Sequence, residues 1–74
     1  MLEQIKEVIC GYVDVEPEDI TENSRLISDL KLSSLDIVMI FVELEKLFNV
    51  KIPEKLYQKV KTVGGLKEYI ENNK

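Results

Sequence analysis

The sequence predicts an all-α fold: a small four-helix bundle, three longer helices plus one short, with a long structured connection between helices 1 and 2. Three observations predict it. Two segments, opening at Leu2 and at Ser34, repeat their apolar residues at helical spacing. Pro17 and Pro53 interrupt the chain between and after them. Of the 74 residues, 33 are apolar, 25 of these are Leu, Ile or Val, and none is Ala, so a chain this short still has bulk enough for one core.

Leu2, Ile5, Val8, Ile9 and Tyr12 fall on one face of a first helix, expected from about Leu2 to Val13. From Asp14 to Ser33 no period is sustained, because Pro17, Asn23-Ser24 and Ser28-Asp29 punctuate the stretch. Yet Ile20, Leu26, Ile27, Leu30 and Leu32 are too many large apolar residues for a loose linker. This connection is expected to pack on the bundle, with a short turn near Pro17-Glu18-Asp19. Connections of about 20 residues are uncommon and tend to carry function.

Ser34 to Phe48 contains neither Gly nor Pro and forms the second helix. Asn49-Val50-Lys51-Ile52-Pro53 ends it, since Pro53 restricts Ile52 and cannot continue the hydrogen bonding. Pro53 then suits the first turn of a short helix, Glu54 to Val60. Thr62 is the expected N-cap of a last helix, Val63 to about Asn72, with Leu66, Tyr69 and Ile70 facing inward. Gly64 and Gly65 weaken its first turn. The whole, residues 1–74, reads as one domain.

Composition narrows the function. Histidine is absent and Cys10 is the lone cysteine, so neither a Ser-His-Asp nor a Cys-His site, nor a zinc or disulfide framework, can be built. No signal peptide opens the chain and no run spans a bilayer, so a cytoplasmic protein without a membrane partner is expected. Residues 1–45 hold 11 acids and 3 bases, a net of −8; residues 46–74 hold 3 acids and 7 bases, a net of +4. An acidic front argues against nucleic acid as partner. Cys10 reads as a small core residue, and Tyr12, Tyr57 and Tyr69 as half-buried packing residues.

The second helix carries two apolar faces. At about 100° per residue, Ile37, Ile40, Phe41, Leu44, Leu47 and Phe48 make a core stripe. The opposite side, which a surface helix keeps polar, carries Leu35, Met39 and Val42, with Val38 at its margin. Asp36, Glu43 and Glu45 flank that strip and Lys46 lies along it. Two accounts fit: a central helix buried on most sides, or a docking strip whose acidic rim steers basic partners.

Ser33-Ser34-Leu35-Asp36 opens the helix. Ser33 is a good N-cap, and Asp36 three residues on completes a near-capping box. Capping explains those two and leaves Ser34 unexplained.

The stretch Asp29-Leu30-Lys31-Leu32-Ser33-Ser34-Leu35-Asp36-Ile37-Val38, continuing through Glu43 and Phe48 to Ile52-Pro53, resembles an acyl carrier protein. Ser34-Leu35-Asp36, Phe48 and Ile52-Pro53 match the family pattern in order and spacing, and the likeness extends to Thr62-Val63 and Tyr69-Ile70. The resemblance implies that a phosphopantetheinyl transferase esterifies Ser34 with 4′-phosphopantetheine from coenzyme A. The arm's thiol would then carry acyl groups as thioesters to acyl-loading and acyl-processing enzymes, the protein itself being a monomer and no enzyme. It also implies recognition by those partners through Leu35, Asp36, Val38, Met39 and Val42, with Glu43 on the rim.

Some positions depart from the family pattern. Ser33 stands where Asp is usual; Met39, Lys46 and Leu47 stand where fatty-acid carriers commonly place acids. Lys51, Lys55, Lys59 and Lys61 make the following segment unusually basic. A dedicated lipid, polyketide or peptide pathway fits these departures better than housekeeping fatty acid synthesis. An aminoacyl or peptidyl carrier, or an unmodified interaction module of the same fold, is the alternative.

Overall fold

The computed structural model describes residues 1–73 and contains three α-helices: α1 (Leu2–Cys10), α2 (Ser34–Phe48) and α3 (Val63–Asn73). Among the described residues there is no strand, only one isolated antiparallel bridge between Arg25 and Thr62. The buried side chains form one cluster. Ile5 and Ile9 enter it from α1, Ile37, Ile40, Phe41 and Leu44 from α2, and Val63, Leu66 and Ile70 from α3.

Helix α1 stops at Cys10, short of the expected Val13. The N–H groups of Gly11, Tyr12 and Val13 still bond back to the carbonyls of Val8 and Ile9, at 3.1, 2.9 and 3.2 Å, as a tightened last turn. Gly11 costs about 1 kcal/mol inside a helix, which places the end there. Cys10 and Tyr12 are half-buried against the core.

The connection is stitched to the segment before α3. Leu26 N–H donates to the Lys61 carbonyl (2.9 Å), Val63 N–H to that of Ser24 (3.0 Å) and Gly64 N–H to that of Glu22 (2.8 Å). That last contact explains Gly64: a Cβ there would sit 2.8 Å from the Glu22 oxygen. The weak helix start is the cost of a close backbone approach, offset by Thr62, whose Oγ1 accepts from Gly65 N–H at 3.1 Å.

Within the connection a 3-10 turn spans Pro17–Asp19, and Ile20, Leu26, Leu30 and Leu32 are buried. Ile27 departs from expectation, for it is 60% exposed. After the bridge at Arg25 the chain coils into hydrogen-bonded turns, the Asp29 and Leu30 N–H groups both bonding back to the Arg25 carbonyl at 3.0 Å. In such a coil Leu26 and Leu30, four apart, share one side. With Leu26 inward, Ile27 is turned out.

The expected short helix Glu54 to Val60 is a 3-10 turn at Glu54–Leu56 followed by hydrogen-bonded turns, so the described residues hold three α-helices. Pro53 is extended on one side and Lys61 is tied to Leu26 on the other. The residues between are too few to repay helix nucleation. Tyr57 fixes the segment instead, its ring meeting Phe41 edge-on at 4.9 Å between centroids.

The core stripe of α2 is as expected except at Leu47, which is 50% exposed. It lies at the edge of the stripe and in the last turn, where no buried neighbour covers it. Among the described residues no helix is long and apolar enough to cross a membrane.

Candidate functional site

The start of α2 is capped entirely by its own residues. Ser33 is extended (φ −82°, ψ 168°), and its Oγ accepts the Asp36 N–H at 3.1 Å. In return Asp36 Oδ2 accepts the Ser33 N–H at 3.1 Å, which closes the capping box. Ser34 follows as the first helical residue. It is exposed, and its hydroxyl makes no hydrogen bond to the described residues. An anionic group on that oxygen would lie at the positive end of the helix dipole, beside main-chain N–H groups that have no helical partner.

Ser34 also borders a groove of about 940 Å³ between the connection, α2 and the segment before α3. Leu26, Ile37, Val38, Tyr57 and Val60 give it an apolar lining, and Arg25, Lys61 and Glu54 bring charge to it. A nucleophilic hydroxyl at the edge, an apolar floor and two cations suit a linear arm that begins with a phosphodiester. The residues present fit 4′-phosphopantetheine.

The second apolar face of α2 is open. Leu35 is 71% and Met39 49% exposed, Val38 and Val42 are less so, and the acidic rim has Glu43 exposed and Asp36 half-buried. The helix is therefore not buried on most sides. Glu45 leaves that rim, because its Oε2 accepts the Ile52 N–H at 2.7 Å. Leu47 and Ile27 add apolar surface that the helical wheel did not assign outward. Arg25 and Lys61 were not singled out together either. The pairing of Arg25 with Thr62 joins distant parts of the chain and so brings both to one groove.

The remaining titratable candidates are structural. Burial, then the negative charge of Glu43, pushes the Tyr12 phenol up. Burial, with Glu16 adding and Lys6 opposing, pushes the Cys10 thiol up, and Cys10 Sγ donates to the Val15 carbonyl at 3.4 Å. A thiol so placed is a packing group and a poor nucleophile.

The described residues thus form a helical bundle with an exposed serine at a capped helix start, on the edge of a groove. The family model for the phosphopantetheine attachment site matches residues 3–70. An acyl carrier protein of Wolinella succinogenes is 40% identical over 74 residues, covering 100% of this chain and 97% of that one. One from Helicobacter pylori is 35% identical over 74 residues, covering 100% and 95%. Among solved structures, the acyl carrier protein from Enterococcus faecalis superposes with a TM-score of 0.86 at 27% identity, over 99% of this chain and 92% of that one. The chain belongs to the acyl carrier protein family. It is a carrier with phosphopantetheine as its cofactor and not an enzyme in its own right.

Proposed function

We propose that Ser34 is the residue that bears the 4′-phosphopantetheine arm, and that residues 1–74 act as one carrier domain, monomeric and cytoplasmic. The turns at residues 54–60 serve as the short fourth element of its bundle. The observation that carries this reading is the free hydroxyl of Ser34 at the first helical position, next to a capping serine that is already engaged. The arm supplies a thiol on which acyl groups ride as thioesters. The chain's own residues position it: Ser33 and Asp36 hold the helix start, and the groove beside Ser34 offers an apolar bed.

A phosphopantetheinyl transferase and acyl-loading and acyl-processing enzymes are its partners, and they dock on Leu35, Asp36, Val38, Met39, Val42 and Glu43. The exposure of Leu35 and Met39 supports this, since burying such side chains against a partner contributes about 25 cal/mol per Å² of apolar area. The Ser33, Met39, Lys46 and Leu47 departures and the exposed Lys51, Lys55, Lys59 and Lys61 favour a dedicated lipid, polyketide or peptide pathway. The charge that these partners must complement differs from that of a uniformly acidic carrier.

The test is intact mass after incubation with coenzyme A and a broad-specificity transferase, for the wild type, Ser34→Ala and Ser33→Ala. Wild type and Ser33→Ala should each gain one phosphopantetheine and Ser34→Ala none. A gain retained in Ser34→Ala and lost in Ser33→Ala would move the site by one residue.

A further inference from the structure

Arg25 and Lys61 are both exposed and both line the groove that Ser34 borders. Backbone pairing fixes their neighbourhood, through the Arg25–Thr62 bridge and the 2.9 Å bond from Leu26 N–H to the Lys61 carbonyl. Among the described residues neither side chain has a carboxylate within the 4.0 Å of an ion pair, whereas Lys6 and Lys67 do. Of the two acids nearest Arg25 along the chain, Glu22 pairs with Lys67 at 3.7 Å and Asp29 accepts the Arg25 main-chain N–H at 2.8 Å. Glu54 is the one acid in the groove lining, so the two cations leave it with a net positive charge that an added anion relieves.

We infer that Arg25 and Lys61 form a clamp for the phosphodiester of an arm on Ser34, which lays the arm along the apolar floor of the groove. The inference rests on Ser34 being the attachment residue and goes beyond it by naming what holds the arm once attached. Three features act together. The phosphodiester carries a fixed negative charge next to Ser34 Oγ. Arg25 and Lys61 reach it from the groove wall. Leu26, Val38 and Val60 offer contact to the arm beyond it. The arm then rests against the protein, and a partner releases it by bringing competing charge to Arg25 and Lys61.

The experiment uses the phosphopantetheinylated protein without cargo, with the mass gain verified first. The readouts are the phosphorus-31 resonance of the phosphodiester and the rate at which a neutral alkylating reagent consumes the arm's thiol at fixed pH. The contribution of Cys10 is taken from the unmodified protein. Arg25→Gln and Lys61→Gln should each raise the alkylation rate about twofold, the scale of a single exposed charge pair. The double variant should shift the phosphorus resonance, and Lys59→Gln, a lysine outside the groove, should change neither. Salt at about 1 M, where the Debye length is only ~3 Å, should reproduce the double variant in the wild type, so the result does not depend on how the variants fold.

Unchanged resonance and rate in the double variant and at high salt overturn the clamp. So does an effect that arises only when the arm carries malonyl and not when it is unloaded, for the pair would then be reading a cargo carboxylate. An unmodified wild type strikes instead at the assignment of Ser34, and the mass measurement separates the two failures.

Discussion

The two ends of α2 are closed in opposite ways. At the start, both bonds of the capping box join residues three apart and lie at the surface. At the far end the bonds reach across the fold. Asn49 is left-handed (φ 56°), Glu45 Oε2 accepts the Ile52 N–H seven residues on, and the Tyr69 hydroxyl donates to the Lys51 carbonyl at 2.7 Å from α3. The contrast separates two jobs. The start is self-contained, so a large group can be added at Ser34 without breaking a tertiary contact. The end is the anchor that fixes the helix to the bundle.

The largest effect should come from the anchor. Glu45→Ala leaves the N–H of buried Ile52 without its charged acceptor and should cost about 1–3 kcal/mol of stability. Urea unfolding would show this as a lower midpoint at an unchanged slope, while the folded protein gains phosphopantetheine as fully as the wild type. A midpoint equal to the wild type's would mean that water replaces the carboxylate and that the far end is no anchor.

At the start the expected loss is smaller. Ser33→Ala removes one cap and should cost about 1 kcal/mol, since Asp36 still accepts the Ser33 main-chain N–H. Measured alongside Glu45→Ala, it ranks the two ends directly. A larger loss at Ser33 than at Glu45 would reverse the assignment of anchor and self-contained start.

This same division explains what the sequence made legible. The start of α2 is local chemistry, so Ser33 and Asp36 could be placed from their spacing alone, as could Thr62 as the cap of α3, whereas Ser34 stood out only through the family resemblance. The inward stripe of Ile37, Ile40, Phe41 and Leu44 is likewise a matter of helical period. What the sequence did not yield depends on partners far along the chain. Glu45 read as a rim acid because its acceptor role requires the chain to turn back at Ile52. Gly64 read as a flaw because the Glu22 carbonyl that excludes a side chain there lies in the connection. Ile27 read as core because nothing local says that the chain coils after Arg25 with Leu26 and Leu30 on its inner side. The segment Glu54 to Val60 is a 3-10 turn with further turns for the same reason: Pro53 suits a helix start locally, and the tether at Lys61 left too little chain for a full helix.

The smallest effect, silent at neutral pH, distinguishes the environments along the two halves of α2. Burial raises the phenols of both Tyr12 and Tyr57 above their usual value near 10. For Tyr12 the acids that add to this are Glu43 and Asp36, and for Tyr57 they are Glu45 and Glu54. Each folded phenol therefore keeps a proton that the unfolded chain releases. The linkage is then fixed in sign: the stability each group contributes is complete below about pH 10 and is lost as pH rises through its folded value. Tyr57→Phe and Tyr12→Phe should leave neutral-pH stability unchanged and flatten its fall on the alkaline side, read from urea midpoints taken at steps above pH 9. If Tyr57→Phe flattens the limb and Tyr12→Phe does not, the anchored half alone resists ionisation and the first half is open to water. If neither does, the protons are lost at the unfolded value, and both phenols are better solvated than their half-buried rings suggest.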